Sequence, residues 1–141
     1  VPIRYVVHGA ESLLYGVGTG AVGTKDLRAL TGQMMADPEF KLSLNQMWDF
    51  RDSIPEDVSF DGLFSVVQLA SGLVNLKHGG ARGEVRCAVL VESEEQFGLA
   101  RMYQSLSDSL QMETEIFRDR AEALRWLGME DGWNPGAATA I

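Results

Sequence analysis

Cysteine, histidine, clustered basic residues and long apolar runs are all scarce in this sequence, and each shortage narrows what the chain can be. The single cysteine, Cys87, excludes an internal disulfide. It lies inside the apolar run VRCAVLV, where a small buried side chain is expected rather than a reactive thiol. His8 and His78 are the only histidines, and neither has a serine or cysteine at a diagnostic spacing, so nucleophilic catalysis has no support. Ala70-Ser71-Gly72 falls mid-helix without a GxSxG frame and is no nucleophile elbow. No catalytic residue, metal or cofactor is assigned. Twelve Lys and Arg stand against twenty Asp and Glu, a net charge of -8, and no segment gathers the bases into a patch that follows a phosphate backbone. That excludes nucleic acid as the expected partner. No apolar run approaches the roughly 20 residues that cross a bilayer, and the first residues lack the basic and apolar regions of a signal peptide. The expectation is a cytoplasmic protein with no membrane span.

What is present reads as one α/β domain. A chain of 141 residues suits a single core that buries about 70% of the unfolded surface, and 45% hydrophobic with 23% charged residues is ordinary globular composition. IRYVVHG and SLLYGVG are β-branched and aromatic runs closed by Gly9 and Gly18, two strands of a tight hairpin. Thr24 then caps a helix over about 25–36, where Leu27, Leu30, Met34 and Met35 recur at helical spacing and Asp37-Pro38 marks the end. KLSLNQMWDF reads as a strand that stops at the polar, acidic loop RDSIPEDVS. Phe60 to Lys77 is too long for a strand and apolar on more than one helical face. His78-Gly79-Gly80 ends that helix, and Arg82-Gly83-Glu84 leads into the next strand.

The clearest punctuation lies in Val85 to Gly128. Ser93 with Gln96 has the spacing of a capping box, so a third helix starts near Glu94, with Leu99, Met102, Tyr103, Leu106 and Leu110 on its apolar stripe. Asp119 and Glu122 repeat that spacing before AEALRWL, and METEIF between the two helices alternates as a strand. A parallel strand pair with a helical crossover follows. The stretch 131–141, rich in glycine and small residues, reads as a loosely ordered tail.

Two motifs invite chemistry and receive a plainer reading. Gly18-Thr19-Gly20-Ala21-Val22-Gly23 is a literal GxGxxG between a strand and a helix. In a dinucleotide fingerprint the helix starts within the glycines and an acid ends the next strand about 20 residues on, whereas here the cap follows Gly23 and position 43 is Ser43. A strand-to-helix turn explains the glycines better. Asp49, Asp52, Glu56, Asp57 and Asp61 make an acidic stretch whose spacing matches no metal loop, so it reads as solvated surface.

The element order, with CAVLVES running into FGLARMYQSLSD and the ending EIFRDRAEALRWLG, resembles the SpoIIAA-like family of STAS-type domains, in the branch sometimes labelled STAS/SEC14. GTKDLRAL is similar to the family's first-helix start. The resemblance covers nearly the whole chain and implies the SpoIIAA-like fold. That is a mixed five-stranded sheet with about four helices in the order ββαβαβαβα, wound as a superhelix with the first strand antiparallel at an edge. In the anti-sigma-factor antagonists of this fold a serine before the second helix is phosphorylated and switches partner binding. Here an Asp-Ser-Ser-Gly run before the leucine is replaced by Asp61-Gly62-Leu63, so the switch serine is missing from its place. The resemblance therefore implies a non-enzymatic regulatory or protein-interaction domain, with Asp52, Ser53, Ser59, Phe60, Asp61 and Phe64 as the candidate interaction or ligand region. Binding of a small apolar or lipid-like ligand, as in Sec14-like domains, is the alternative. The outer face of the second helix is left for a neighbouring helix, an apolar pocket or a homodimer contact.

Overall fold

Side chains of successive strand residues point to opposite faces, and in β4 (Arg86–Leu90) both faces are apolar: Cys87 and Val89 lie on one side, Ala88 and Leu90 on the other. A strand of that kind needs cover on both faces. The computed structural model, which describes residues 2–78 and 84–135, supplies it with three helices on one face and one on the other. Gly79, Gly80, Arg82 and Gly83, assigned above to a helix stop and a strand entry, lie outside the described residues.

The sheet has five strands in the order β1-β2-β3-β4-β5: β1 (Ile3–His8), β2 (Leu13–Val22), β3 (Asn45–Pro55), β4, and β5 (Glu113–Phe117). β1 is the antiparallel edge strand, paired Tyr5 to Gly16, and every later pairing is parallel. The parallel connections carry α1 (Thr24–Ala36), α2 (Phe60–His78) and α3 (Glu94–Leu106), and α4 (Arg120–Trp126) follows β5. Short 3-10 turns, Gly9–Glu11 and Ser107–Leu110, close the hairpin and extend α3. The mixed sheet, the edge strand and the four helices agree with the architecture expected from the sequence. Among the described residues no helix is long and apolar enough to cross a membrane.

Several boundaries move, each for a physical reason. α1 is capped at Gly23, not Thr24: the Asp26 carboxylate reaches back 2.9 Å to the Gly23 N–H, the acidic half of a capping box that needs no cap side chain. The strand expected at 41–50 lies instead at Asn45–Pro55, so the expected acidic loop is largely strand. Phe40, Leu42 and Leu44 alternate like a strand but are buried turn residues that close the end of the core. α3 starts at Glu94 with the Ser93–Gln96 box intact, yet its buried members are Gln96 and Ala100, and Met102 is 37% exposed. At α4 the Asp119 carboxylate accepts from the Ala121 N–H at 2.9 Å. The loose tail expected from residue 131 is anchored at Trp133, whose indole meets the rings of His8 and Tyr15 edge-on at 5.1 and 5.7 Å, and residues 136–141 lie outside the described residues.

One contact ties the edge strand to the end of α1. The Tyr5 hydroxyl donates to Asp37 Oδ2 at 2.7 Å, and burial, with that hydrogen bond and the carboxylate's charge, pushes the phenol well above its usual range. A folded-state pKa raised above the unfolded value of roughly 10 gives stability that is complete below pH 10 and lost as the pH climbs beyond it. Tyr5→Phe should cost about 1 kcal/mol at pH 7 and lose less stability than wild type between pH 9.5 and 11. Urea melts across that range check both; equal losses in the two proteins would contradict the assignment.

Candidate functional site

The site begins with a fault in the sheet. β3 pairs Asp49 with Val17 but Asp52 with Thr19, so β3 carries one extra residue and bulges. Before the bulge Gln46, Trp48 and Phe50 face the three-helix side; after it the phase shifts, and Ser53 and Pro55 take that side. Strict alternation would have turned Asp52 inward. The bulge leaves Asp52 in solvent and buries Ser53, whose hydroxyl donates to the Phe50 carbonyl at 2.6 Å.

Two glycines make room for the aromatic residues. Gly16 sits beside Trp48 in register, and a Cβ there would lie 2.1 Å from the indole; at Gly18 a Cβ would lie 2.4 Å from the Phe50 ring. The bare backbone lets both rings lie flat on β2, stacked with centroids 6.3 Å apart. With the rings pressed onto the sheet, the space above them is left open.

That space is a cavity of about 180 Å³ between the sheet and α1, α2 and α3. Leu30 and Met34 wall it from α1, Val67 from α2, Ala100 from α3, and Trp48 and Val89 from below. An apolar space of this size leaves its lining short of dispersion contacts, so an occupant of matching shape is rewarded. The polar wall is sparse. Gln96 is 6% exposed and makes four hydrogen bonds: its Oε1 accepts from the Glu92 and Ser93 N–H groups at 2.7 and 3.2 Å, and its Nε2 donates to the Ser53 and Arg51 carbonyls at 2.7 and 3.2 Å. It pins the start of α3 to the bulged end of β3. Gln46 Oε1 accepts from the Trp48 indole N–H at 2.9 Å, and Thr31 donates to the Leu27 carbonyl.

The residues singled out from sequence divide. Ser53 reaches the cavity wall. Ser59 accepts from the Gly62 N–H at 3.0 Å, as a helix-capping hydroxyl does. Gly62 packs so closely that a Cβ would fall 2.5 Å from Thr24 Oγ1, so no side chain fits where the α1 and α2 starts meet. Asp52 and Asp61 are exposed on the surface. Phe60 and Phe64 stack on each other at 6.5 Å on the outer side of α2, about half exposed, away from the cavity wall. Sequence reasoning missed Gln46, Trp48 and Gln96 as site residues. Gln46 carried a signal: it stands in phase with Leu44, Trp48 and Phe50, a polar residue in an inward position.

The remaining motifs resolve structurally. In the GxGxxG stretch β2 runs on to Val22, Phe50 covers Gly18, and the Asp26 carboxylate occupies the Gly23 amide at the start of α1. In the acidic stretch Asp49 makes a two-pronged contact with Arg51 at 3.0 and 2.9 Å, which holds the guanidinium above its ordinary pKa. Among the described residues no three His, Cys, Asp or Glu side chains gather as a metal site.

No protein-family model matches the chain, and no curated protein matches it either. Among solved structures it is similar to an uncharacterized protein of the DUF3478 family from Shewanella loihica PV-4, described as having a SpoIIAA-like fold. The two share 19% identity with a TM-score of 0.52 over 89% of this chain and 93% of the other. Together with the mixed five-stranded sheet and four helices, this makes the chain an α/β domain of the SpoIIAA-like fold.

Proposed function

We propose that this domain is a non-enzymatic binding module for a small apolar molecule held in the cavity between the sheet and α1, α2 and α3. The observation that carries the reading is the cavity itself: about 180 Å³ of space walled almost wholly by hydrocarbon in the middle of the core. A volume of that size is comparable to the ~150 Å³ engineered cavity that stays dry and takes up benzene. Filling it replaces lost dispersion contacts and offsets the cost of the void. A regulatory or protein-interaction role draws support from the exposed Phe60–Phe64 stack at the start of α2. The two uses are compatible, because the stack and the cavity lie on different sides of that helix.

Toluene is a suitable probe, with seven heavy atoms and no hydrogen-bonding group. The wild-type protein should bind it saturably and gain thermal stability with rising concentration. Ala100→Leu, which extends an α3 side chain into the void, should raise stability by about 1–2 kcal/mol and weaken toluene binding at least tenfold. A wild-type protein that takes up no toluene, together with a destabilised Ala100→Leu variant, would sink the reading.

A further inference from the structure

The wall of the cavity contains one polar group whose bonding capacity is left over. Its side-chain donors are otherwise spent inside the protein: Thr31 on the Leu27 carbonyl, Ser53 on the Phe50 carbonyl, both hydrogens of the Gln96 amide on the Arg51 and Ser53 carbonyls, and the Trp48 indole on Gln46 Oε1. Tyr103 has a partner of its own. Gln46 differs. The indole N–H of Trp48 is a donor only, so the atom it meets at 2.9 Å must be the amide oxygen of Gln46, and this fixes which way the amide is turned. Gln46 Nε2 is then left with no acceptor among the described residues, on a side chain 4% exposed that lines the cavity. The fully buried side-chain atoms without a partner do not include this nitrogen, so it borders open space, and an acceptor brought there by a ligand would complete its hydrogen bonding.

The charge of that acceptor follows from what else lines the space. Among the described residues the wall holds no Lys, Arg or His, and nothing on it would compensate a buried carboxylate. The size follows from the volume. At the interior packing density of ~0.74, about 180 Å³ takes roughly 130 Å³ of van der Waals volume, or about eight heavy atoms.

The geometry points to a neutral, mostly hydrocarbon ligand with one carbonyl oxygen, a small ketone, aldehyde or ester, whose oxygen accepts a hydrogen bond from Gln46 Nε2. This assignment rests on the apolar-ligand reading and goes further by naming the ligand's polar group and the residue that selects it. The pair Gln46 and Trp48 acts as a unit: the indole holds the amide oxygen, so the amide nitrogen is oriented before the ligand arrives and less entropy is lost on binding.

The test titrates the isotope-labelled full chain at pH 7 with 2-heptanone, heptanoate and toluene, following the side-chain NH₂ of Gln46 and the indole N–H of Trp48 by NMR. 2-Heptanone should move the Gln46 NH₂ protons downfield, and toluene should bind without doing so. Heptanoate should bind at least tenfold more weakly than 2-heptanone. Gln46→Met should lower the affinity for 2-heptanone relative to toluene about tenfold, the loss of one hydrogen bond that only the ketone makes. If toluene binds but the Gln46 NH₂ protons ignore 2-heptanone, or heptanoate binds as tightly as the ketone, the carbonyl assignment is wrong and the apolar reading stands. If neither toluene nor 2-heptanone binds the wild type, both fall together. Should Gln46→Met fail to fold, the wild-type NH₂ shifts decide alone.

Discussion

Gly16→Val should unfold this protein or leave it marginal, with a loss of ~3 kcal/mol or more. A Cβ on Gly16 would lie 2.1 Å from Trp48 Cζ3, and β2 is hydrogen-bonded to β1 on one side and β3 on the other, so the backbone cannot retreat. Overpacking a core by a methyl group or two already costs typically 1–3 kcal/mol. Here relief requires Trp48 to leave its seat, which also breaks its 2.9 Å hydrogen bond to Gln46 and disturbs the stack on Phe50. Urea denaturation gives the number, and Gly9→Ala is the control, because nothing lies within 4 Å of the Cβ it would gain. Trimming the ring in Gly16→Ala/Trp48→Leu should recover part of the loss. If Gly16→Val melts within a degree or two of wild type, Trp48 does not lie on Gly16.

Gln96→Leu keeps the size of the side chain and should still cost about 3–5 kcal/mol. The substitution removes four hydrogen bonds at once and leaves the Ser53 carbonyl and the Glu92 N–H short of partners beside an apolar space. Orphaned buried groups cost roughly 1–3 kcal/mol each, and a network loses more than its members counted singly. The damage should be local before it is global: hydrogen exchange should show the end of β3 and the start of α3 opening together. Gln96→Glu makes a sharper comparison. It retains an acceptor for the two N–H groups but faces two carbonyls with a second oxygen, so it should fall well short of wild type. A Gln96→Leu variant as stable as wild type would refute the bridging role.

The fold was readable because its signals are local. The capping box at Ser93 and Gln96, the apolar run of β4, the alternation of β5 and the helical stripe of α1 each lie within a dozen residues, and each found its element. What stayed hidden depends on distances across the fold. Leu42 and Leu44 continue the phase of Gln46 and Trp48, so nothing local says that the first two are turn residues. The bulge that buries Ser53 and exposes Asp52 is visible only as a mismatch with β2. Gln96 declared its capping role but not its reach to a strand 43 residues earlier in the chain. The cavity exists because Gly16 and Gly18 let two large rings lie flat, and in sequence Gly18 read as the close of a strand and Gly16 as one more residue within it. Trp133 was lost among small residues although it closes the opposite core.

The sequential strand order has a consequence for where any ligand can lodge. In open α/β sheets the usual site is an external crevice, opened where neighbouring connections depart to opposite faces of the sheet. This sheet has no such parting: the order β1-β2-β3-β4-β5 never reverses, and α1, α2 and α3 follow one another across a single face. Contacts of α1 with α2 and of α2 with α3 close that layer. With no such parting, the place left for a guest is beneath the helical layer, between the sheet and α1, α2 and α3.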